Sequence, residues 1–486
     1  MEELWLADAR VPDDATLLEQ LRAAVDLRQR DAFARALDAE FPGDLLEDAV
    51  LRQPAVSELA GNVDALFVVG DELFDYAFRP GQGLGNGLRD SAFAGPGKAP
   101  NLRRVHAGDF GGPDAHSCAD CHSKGGPDGA GTATQQAFLR GDGARAERAD
   151  KRNPPHVLGL GPVAALAREM TAELQRVREE VVTMAMAEGR RIEQPLRAAG
   201  VSFGDIAADA DGTPDVQAVR GVDDDLVVRP FGWKGHQADL RSMVEESFRI
   251  HMGILSSNLQ ERVAAGEISG ELFGDGPWDD LDNDGVSVEL DSGMITTAVA
   301  YLAQLPVPLV RPPQSPLLLE AFAEGQALFE EIGCDHCHRP RMLLHEPLLV
   351  TRPVQPSAVG APAVTIDVAH DGPSPKVAPV DLTEQAYEVE LFSDLKRHEM
   401  GEDLATTVVQ DGIARSVFLT RPLWGLAETA PYLHDGRAPS VHEAVVWHGG
   451  EAAEARDAYR ALSPQEQGAL RVFLLSLSRL PELRVP

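Results

Sequence analysis

Two shortages stand out in the sequence, and each excludes a class of protein. Only four cysteines occur in 486 residues, which excludes a small scaffold held together by disulfides. The best apolar stretch, residues 294–310, contains two prolines and is shorter than the roughly 20 residues of a membrane-spanning helix, so no transmembrane segment is predicted. The first five residues, MEELW, also lack the basic and apolar regions of a signal peptide.

Positive charge is scarce as well. The chain has 44 Lys and Arg against 77 Asp and Glu, which gives a formal net charge of -33. Such an acidic surface repels phosphate groups, so we expect no binding to nucleic acid or to anionic membranes. It attracts a small cationic redox partner, unless its only role is to keep the protein in solution.

All four cysteines belong to two copies of one pattern. In each copy, two residues separate a pair of cysteines and a histidine follows at once, which is the attachment motif of c-type haem. The spacing lets both thiols reach the vinyl groups of one porphyrin while the histidine approaches the iron from one face. The copies are Cys118-Ala119-Asp120-Cys121-His122 and Cys334-Asp335-His336-Cys337-His338.

Two other uses of cysteine pairs fit this sequence less well. A zinc site needs four ligands close together, but the two pairs lie more than two hundred residues apart. A redox dithiol is not expected to have a histidine directly after its second cysteine. We therefore predict two covalently bound c-type haems, with His122 and His338 as iron ligands. Because c-type haem is attached outside the cytoplasm, we expect a periplasmic or otherwise extracytoplasmic protein whose leader is missing from this chain.

The spacing of apolar residues predicts a mainly α fold, with two cytochrome c-like haem domains, long loops and an N-terminal helical extension. Helices are predicted over residues 162–188 and 317–329, and a C-terminal helix starts at Pro464 with Ser463 as its N-cap. Strand signals are sparse, and the best is residues 364–368.

A proline-rich linker near residue 313 divides the haem-bearing part of the chain in two. The predicted domains are the extension at residues 1–60, the first haem domain at 61–312 and the second haem domain at 314–486.

Four further segments resemble one protein family. Residues 432–438 (YLHDGRA) resemble the His-Asp-Gly turn of bacterial di-haem cytochrome c peroxidases, and residues 152–159 (RNPPHVLG) resemble the segment after their first haem. Residues 231–235 (FGWKG) and 393–401 (SDLKRHEMG) are closer to a branch of that group, the di-haem oxidoreductases. The chain is identified as a member of this di-haem oxidoreductase family over roughly residues 65–480.

The resemblance implies different roles for the two haems. In the peroxidases one haem stores an electron while the other, with an open position, reacts with hydrogen peroxide, so the haem on His122 is the candidate reactive one and that on His338 transfers electrons. The distal ligand of the second haem is expected after the His-Asp-Gly turn, where the peroxidases carry methionine and this chain has His448. Imidazole in place of thioether lowers the reduction potential. The alternatives are that Met400, or as a lesser variant His398, is the ligand and that His448 is a surface residue.

The sixth position of the first haem stays open in the sequence. The candidates are His156, His236, His251, Met252 or no side chain at all. The peroxidases also carry a distal glutamate that moves a proton. Its place falls on Ser242 here, and Glu245, one helical turn further on, is the candidate substitute unless it is only a solvated carboxylate.

Three residues of the resembling segments have two interpretations each. Trp233 is a candidate electron relay between the haems, because a tryptophan has that role in the relatives, or else a core residue. Lys234 is a candidate partner of a haem propionate. His434 is expected to anchor its own turn or a propionate rather than to bind iron.

Residues 280–291 match the start of an EF-hand calcium loop. Oxygen-bearing side chains alternate, and Gly285 stands at the sixth position, where the loop turns sharply. The twelfth position holds aspartate rather than the bidentate glutamate, which weakens binding, and a plain acidic turn is the alternative. The peroxidases hold calcium between their haem domains. The candidate ligands are Asp280, Asp282, Asp284 and Asp291.

These observations favour a peroxidase-like oxidoreductase that reduces peroxide or oxidises a substrate at the first haem and exchanges electrons with a small redox protein. The first alternative is an electron carrier in which both irons are six-coordinate. The second is radical oxidation of a protein partner, as in the relative that matures methylamine dehydrogenase. That relative has a tyrosine ligand where this chain has His448, so this alternative ranks last.

Overall fold

The computed structural model describes residues 53–479, apart from 80–81, 86–106, 109–113, 140, 143–148, 269–277, 279, 282–285, 355–360 and 381–384. The predicted N-terminal extension, residues 1–60, lies almost wholly outside the described residues. Ten α-helices are present in the described part of the chain. They are α1 (Gln53–Leu59), α2 (Val63–Asp75), α3 (Leu160–Glu188), α4 (Leu240–Ser247), α5 (Ser257–Ala264), α6 (Ser292–Gln304), α7 (Pro316–Glu331), α8 (Val441–Trp447), α9 (Ala453–Ala461) and α10 (Pro464–Leu474).

The three helices predicted from the sequence are confirmed with small shifts of their ends. Helix α3 begins after Gly159 and ends before Gly189, and both glycines have positive φ. Helix α10 begins with a capping box, in which the Ser463 side chain accepts from Glu466 N and the Glu466 side chain accepts from Ser463 N.

Two pairs of helices cross in the same way, one pair in each half of the chain. Helix α2 precedes the first haem motif and packs against α6, while α7 precedes the second motif and packs against α10. Both crossings are made at a glycine. A Cβ on Gly70 of α2 would meet Tyr301 and the Thr297 carbonyl of α6, and a Cβ on Gly325 of α7 would meet the Ala469 carbonyl of α10. The absence of a side chain therefore lets each pair approach closely.

The strands are short and pair only in antiparallel fashion. They are β1 (Ala107–Gly108), β2 (Ala137–Leu139), β3 (Gly141–Asp142), β4 (Asp150–Arg152), β5 (Ile192–Ala198), β6 (Val201–Ala208), β7 (Pro214–Asp215), β8 (Leu309–Val310), β9 (Met342–Leu344), β10 (Leu348–Thr351), β11 (Val364–Asp367), β12 (Ala378–Pro379), β13 (Tyr387–Val389), β14 (Arg397–Glu399), β15 (Val417–Leu419) and β16 (Leu477–Ser478). The sheets are β1–β3, β2–β4, β5–β6–β7, β8–β16, β9–β13–β12, β10–β11 and β14–β15.

The expectation of a mainly α fold is wrong. Helices account for 38% of the described residues and strands for 17%, spread over several small sheets. The strand predicted at residues 364–368 is present as β11, but the longest hairpin, β5–β6, was missed. In β5 the buried and exposed residues alternate around Pro195, a residue that argues against a strand in the sequence. Strands of two to four residues are too short for any period to be read.

Two large hydrophobic cores and one small cluster around Leu255 and Leu281 lie among the described residues. The larger surrounds α2, α3 and α6 and also takes in residues of β9, β11 and β13, which follow the second motif in sequence. The smaller lies between α7 and α10 and includes Phe329, Phe392 and Phe473. Because the larger core draws on both sides of the linker, the predicted division at residues 312–314 stays a prediction. No described helix combines the length and the apolar character needed to cross a membrane.

Candidate haem sites

The first motif starts a short helical turn. The amides of Cys121 and His122 both donate to the Cys118 carbonyl, each at 3.1 Å. Asp120 caps the turn, since its Oδ2 accepts from His116 N at 2.8 Å. The turn is tied to the end of α2 by a bond from Ala119 N to the Phe74 carbonyl, at 3.2 Å. The two thiols and the imidazole of this motif are therefore held on one rigid segment.

The His122 ring is oriented by its own hydrogen bond. Its Nδ1 donates to the Gly129 carbonyl at 3.2 Å, and the ring lies 6.0 Å from that of Phe74. This bond engages Nδ1, which makes Nε2 the candidate metal-binding nitrogen, and the Pro155 carbonyl is a second backbone hydrogen-bond partner of the ring. Burial lowers the pKa of His122 to about 4, so the ring is neutral at neutral pH and its lone pair is available.

The second motif follows α7 directly and folds in a similar way. Residues Cys334–His336 form a 3-10 turn, and His338 N donates to the Cys334 carbonyl at 2.9 Å. The His338 Nδ1 donates to the Phe392 carbonyl at 3.2 Å, which again leaves Nε2 for a metal ion. Burial lowers the pKa of His338 to about 4.

His448 faces the His338 ring. It follows the last residue of α8, and its Nδ1 donates to the Ala444 carbonyl at 2.8 Å. The centroids of the His338 and His448 rings are 6.3 Å apart. Because a metal–nitrogen bond to imidazole is about 2 Å long and the ring centre lies about 1.2 Å beyond the nitrogen, two imidazoles that share one metal ion have centroids about 6.4 Å apart. The pair therefore has the spacing for one metal ion between the rings.

A cavity of about 500 Å³ surrounds this pair of histidines, and we call it the central cavity. The second motif forms one wall, with Cys334, Cys337 and His338, and His448 lies on another. Residues on the N-terminal side of the linker also line the central cavity, among them Asn153, His156 and Trp233. Thiols at the motif spacing together with an opposed imidazole fit a covalently attached haem.

The comparisons with known proteins agree with this donor set. A family model described as "Di-haem oxidoreductase, putative peroxidase" matches residues 206–477. That match covers more than half of the chain.

The chain belongs to this di-haem oxidoreductase family.

Membership of a di-haem redox-enzyme family implies two haems, and the resemblance noted in the sequence is confirmed. The matched residues include the second motif, whereas the first motif at residues 118–122 precedes them.

Two solved structures show similarity at a low level. One is a MauG-like protein associated with microbial copper homeostasis, with 15% identity over 56% of this chain and 78% of that chain, at a TM-score of 0.27. The other is hydrazine synthase of Kuenenia stuttgartiensis, with 17% identity over 40% of this chain and 57% of that chain, at a TM-score of 0.21. At TM-scores this low, neither similarity supports a conclusion about the structure or function of this chain. No curated protein matches the chain.

The alternative ligands of the second haem, His398 and Met400, also line the central cavity. Both nitrogens of His398 are engaged, because Nε2 lies 2.8 Å from Asp394 Oδ2 and Nδ1 lies 2.7 Å from Glu451 Oε2. Burial, the largest single effect, disfavours charge on this ring, but the hydrogen bonds and charges of Asp394 and Cys337 together outweigh it and raise the pKa of His398 to about 11. A protonated imidazole has no lone pair for iron, so the geometry favours His448 over His398.

The candidates for the sixth position of the first haem have partners of their own, although His156 and His251 both lie near enough to His122 for a charge on one ring to disfavour charge on the other. The His156 Nε2 donates to the Trp424 carbonyl at 2.8 Å, and the His236 Nε2 lies 2.7 Å from Glu246 Oε2. The His251 Nδ1 lies 3.3 Å from Asp114 Oδ2, and Met252 is buried in the larger core. Within the described ranges, no imidazole contacts the His122 ring as His448 contacts that of His338.

Glu245 is half-buried on α4 rather than solvated. Its Oε2 accepts from Asn258 Nδ2 at 2.9 Å, and Arg241 Nε lies 3.9 Å from its Oε1. Burial raises the pKa of Glu245. Ser242, at the position of the peroxidase glutamate, donates its hydroxyl to the Asp239 carbonyl in the first turn of α4. Of these two residues only Glu245 has a carboxyl group that can carry a proton.

The FGWKG segment joins the two halves of the chain. The Trp233 Nε1 donates to the Asn153 carbonyl at 2.8 Å, and the Trp233 ring lies 6.5 Å from that of His434. Lys234 is fully buried and donates to the carbonyls of Ala414, Arg415 and Val417 at 3.2, 2.6 and 2.9 Å. With three carbonyl acceptors, its ammonium group has no hydrogen left for a propionate. Lys234 therefore links its own segment to residues 414–417 by hydrogen bonds, a role that the sequence did not indicate.

The candidate calcium loop is described only in part. Asp282 and Asp284 lie outside the described residues. Asp280 is buried, and Asp291 is the N-cap of α6, where its Oδ1 accepts from Gly293 N at 2.7 Å. The N-cap role explains an aspartate at this position without any metal.

Two polar features escaped the sequence analysis. The buried Tyr301 donates to Asp128 Oδ1 at 2.6 Å. Asp128 is the residue before Gly129, whose carbonyl orients His122. Arg421 lines the central cavity with its guanidinium carbon 5.6 Å from the Trp233 ring. Neither belongs to a local motif, because the contacts of both join segments far apart in sequence.

Proposed function

We propose that this chain is an extracytoplasmic di-haem c-type oxidoreductase of the peroxidase type, with the reactive iron on His122 and the electron-transfer iron on His338. The observation that carries the proposal is the opposed pair of His338 and His448, 6.3 Å apart in a cavity that also contains Cys334 and Cys337. Membership of the di-haem oxidoreductase family supports it independently.

At the second site, Cys334 and Cys337 would hold a haem covalently through thioether links. His338 and His448 would be the residues that bind its iron. Each ring is oriented by an Nδ1–H bond to a backbone carbonyl, of Phe392 and of Ala444 respectively. Such bonds fix the ligand tautomer and raise its basicity. Two fixed imidazoles leave no position for a small molecule, which suits electron transfer.

At the first site, Cys118 and Cys121 would hold a haem covalently through thioether links, and His122 would be the residue that binds its iron. When bound, the two haems supply one-electron chemistry and, where an iron has an open position, reaction with a small oxidant such as peroxide. Glu245 is the candidate group for moving a proton there, because its buried carboxyl has a raised pKa and thus holds a proton more readily than a solvated one.

Trp233 is the candidate relay between the two sites. It lines the central cavity, and its indole N–H is bonded to Asn153, in the segment that follows the first motif. An aromatic ring at this place shortens the distance over which an electron must pass between the halves of the chain. Its T-shaped contact with His434 and the guanidinium of Arg421 hold the ring in place.

Several further features belong to this proposal. The first and second haem domains are residues 61–312 and 314–486. Covalent attachment of c-type haem requires an extracytoplasmic, in Gram-negative cells periplasmic, location. The net charge of -33 favours a cationic redox protein as electron partner. A calcium ion near Asp280 would be revealed by bound metal that is lost on chelation; protein without metal and with unchanged stability would remove that site.

The experiment is electron paramagnetic resonance of the ferric protein, matured in a host that attaches c-type haem, together with carbon monoxide binding to the reduced form. We expect one low-spin iron with two imidazole ligands and one high-spin iron that binds carbon monoxide. Two low-spin irons that bind nothing would leave the electron carrier as the function. A mature protein with the mass of the bare polypeptide and no Soret band would overturn the proposal.

A further inference from the structure

Among the described residues, no anion pairs with the Arg421 guanidinium. Arg421 follows β15, it is half-buried, and its guanidinium faces the central cavity. Across the described part of the chain it makes no hydrogen bond and no ion pair. Burial lowers the pKa of Arg421 only to about 10, so the group remains charged at neutral pH. A charged group removed from water without a partner is costly, so an anion is expected to complete this site.

Three other arginines that are buried or half-buried have partners. Arg241 donates to Ser292 and Thr296, and Arg397 lies 2.5 Å from Asp223. In the central cavity itself, Arg456 donates to the His448 carbonyl at 3.0 Å and pairs with Asp457 at 2.8 Å. Arg421 therefore differs from these three arginines, since no described residue pairs with its guanidinium.

No carboxylate among the described residues provides the anion. Three carboxylates line the same cavity, Glu331, Glu451 and Glu454, but none of them pairs with Arg421. Glu451 is already bonded to His398. The missing anion must therefore come from the molecule that fills the cavity. The two propionates are the only anionic side groups of a haem, and the planar fork of a guanidinium matches a carboxylate with two parallel bonds.

We propose that Arg421 binds a propionate carboxylate of the haem in the central cavity, and so fixes the orientation of that haem and raises its reduction potential. The inference rests on the proposed function, since it needs a haem between His338 and His448. The guanidinium neutralises the propionate charge, and a less negative surrounding disfavours the ferric iron relative to the ferrous iron.

The position of Arg421 also places this carboxylate beside Trp233. The guanidinium carbon lies 5.6 Å from the indole ring, within the range of a cation–π contact. Trp233 is bonded in turn to Asn153, after the first motif. Arg421 thus joins the propionate edge of one haem to the ring between the two sites. Its charge also disfavours a positive charge on the indole, so it acts on both members of the relay.

The test is the reduction potential of the second haem in Arg421→Gln and Arg421→Lys, measured by spectroelectrochemical titration of protein that contains two haems. We expect Arg421→Gln to lower the ferrous-to-ferric ratio at a given potential about tenfold, which is 59 mV for a one-electron couple. Arg421→Lys keeps the charge and should recover more than half of that shift. The matched control is Arg471→Gln, which removes one positive charge from the exposed face of α10 and should change the ratio less than twofold.

A two-haem Arg421→Gln protein that titrates as the wild type does would overturn the inference. If Arg421→Gln loses the second haem while Arg421→Lys keeps it, the inference is supported, because the charge is then needed to hold the cofactor. If neither variant folds, a crystal structure of the haem-loaded wild type decides. A propionate oxygen should lie within about 3.2 Å of a guanidinium nitrogen, and one beyond about 5 Å contradicts the inference. A wild type without haem overturns the proposed function instead.

Discussion

The two motif regions share one local arrangement around the motif histidine, but they differ in what lies opposite that histidine. In each, a helix meets a partner at a glycine, the motif forms a turn, and the histidine Nδ1 donates to a backbone carbonyl 3.2 Å away. The second region then adds His448, opposite His338. The described part of the first region offers His122 no such partner.

This difference shows which part of each region is local and which is not. The motif turn and the hydrogen bond of its histidine come from nearby residues and are shared by the two regions. The residue opposite the histidine comes from a segment far away in sequence, and it is described for His338 but not for His122. Under the proposed function, a second imidazole would favour electron transfer and an open position would favour chemistry. The predictions below test that contrast, from the largest expected effect to the smallest.

Removing the two cysteines of the second motif should leave the protein with the first haem site alone. In the double variant Cys334→Ala, Cys337→Ala we expect one haem instead of two, measured by mass spectrometry and by the pyridine haemochrome assay. The remaining iron should be high-spin and bind carbon monoxide, because only the first site is left. The matched control, Cys118→Ala with Cys121→Ala, should leave one low-spin iron. Equal spectra for the two double variants would show that the sites do not differ.

Replacing His448 should make the second site resemble the first. With His448→Ala the opposed imidazole is lost, so we expect the low-spin signal to become high-spin and a second carbon monoxide to bind on reduction. Met400→Leu is the control and should keep the low-spin signal. The reverse pattern, with the change in Met400→Leu alone, would assign the ligand to Met400.

Lys234 holds the first half of the chain against the segment after the second motif. Lys234→Met leaves three buried carbonyls without their donor, each of which costs about 1–3 kcal/mol, so we expect a loss of at least about 3 kcal/mol in the free energy of unfolding. Thermal unfolding of the haem-loaded protein measures the loss. The control is Lys396→Met, whose amino group donates to the Ser202 carbonyl at the surface, and its effect should be below about 1 kcal/mol.

Asp128 makes the first region sensitive to pH. Burial raises the pKa of Asp128 from 3.8 to about 6, although the hydrogen bond from Tyr301 opposes this. The folded state therefore binds the proton more tightly than the unfolded state does. The resulting contribution to stability is complete below pH 3.8 and is lost as the pH rises through 6.

Asp128→Asn should remove this dependence, since the amide does not ionise and its oxygen still accepts from Tyr301. The stability of the variant relative to the wild type should rise between pH 4 and pH 7 by up to about 3 kcal/mol, measured by thermal unfolding at each pH. Tyr301→Phe removes the hydrogen bond to the Asp128 carboxylate and is the contrasting variant. Its free energy of unfolding should fall more steeply than that of the wild type as the pH rises. A difference between Asp128→Asn and wild type that stays constant with pH would contradict the role of this carboxyl.

Much of the local structure could be predicted from the sequence. The helices before the second motif and at the C-terminal end, with its Ser463 cap, follow from apolar spacing and capping residues, and the family followed from short segments around the motifs. The fold class could not be predicted, because most strands have two to four residues and the longest hairpin contains Pro195. The domain limits and the roles of the site residues remain predictions.

The functions of individual polar residues were harder to predict than the elements that carry them. Lys234 was expected to meet a propionate and instead holds three carbonyls. His398 was a candidate ligand, and its two carboxylate neighbours make it a cation. In both cases, tertiary packing brings the side chain together with the partners that determine its role. No local sequence pattern therefore reveals that role.

The sequence by itself determined the family and predicts the covalent chemistry of this protein, since two cysteines and a histidine at fixed spacing act through a few adjacent bonds. Only the tertiary structure decided which side chain faces each imidazole, which cation lacks an anion and which carboxyl is buried. Those properties depend on distance and on exclusion of water, and both are set by segments that meet only once the chain has folded.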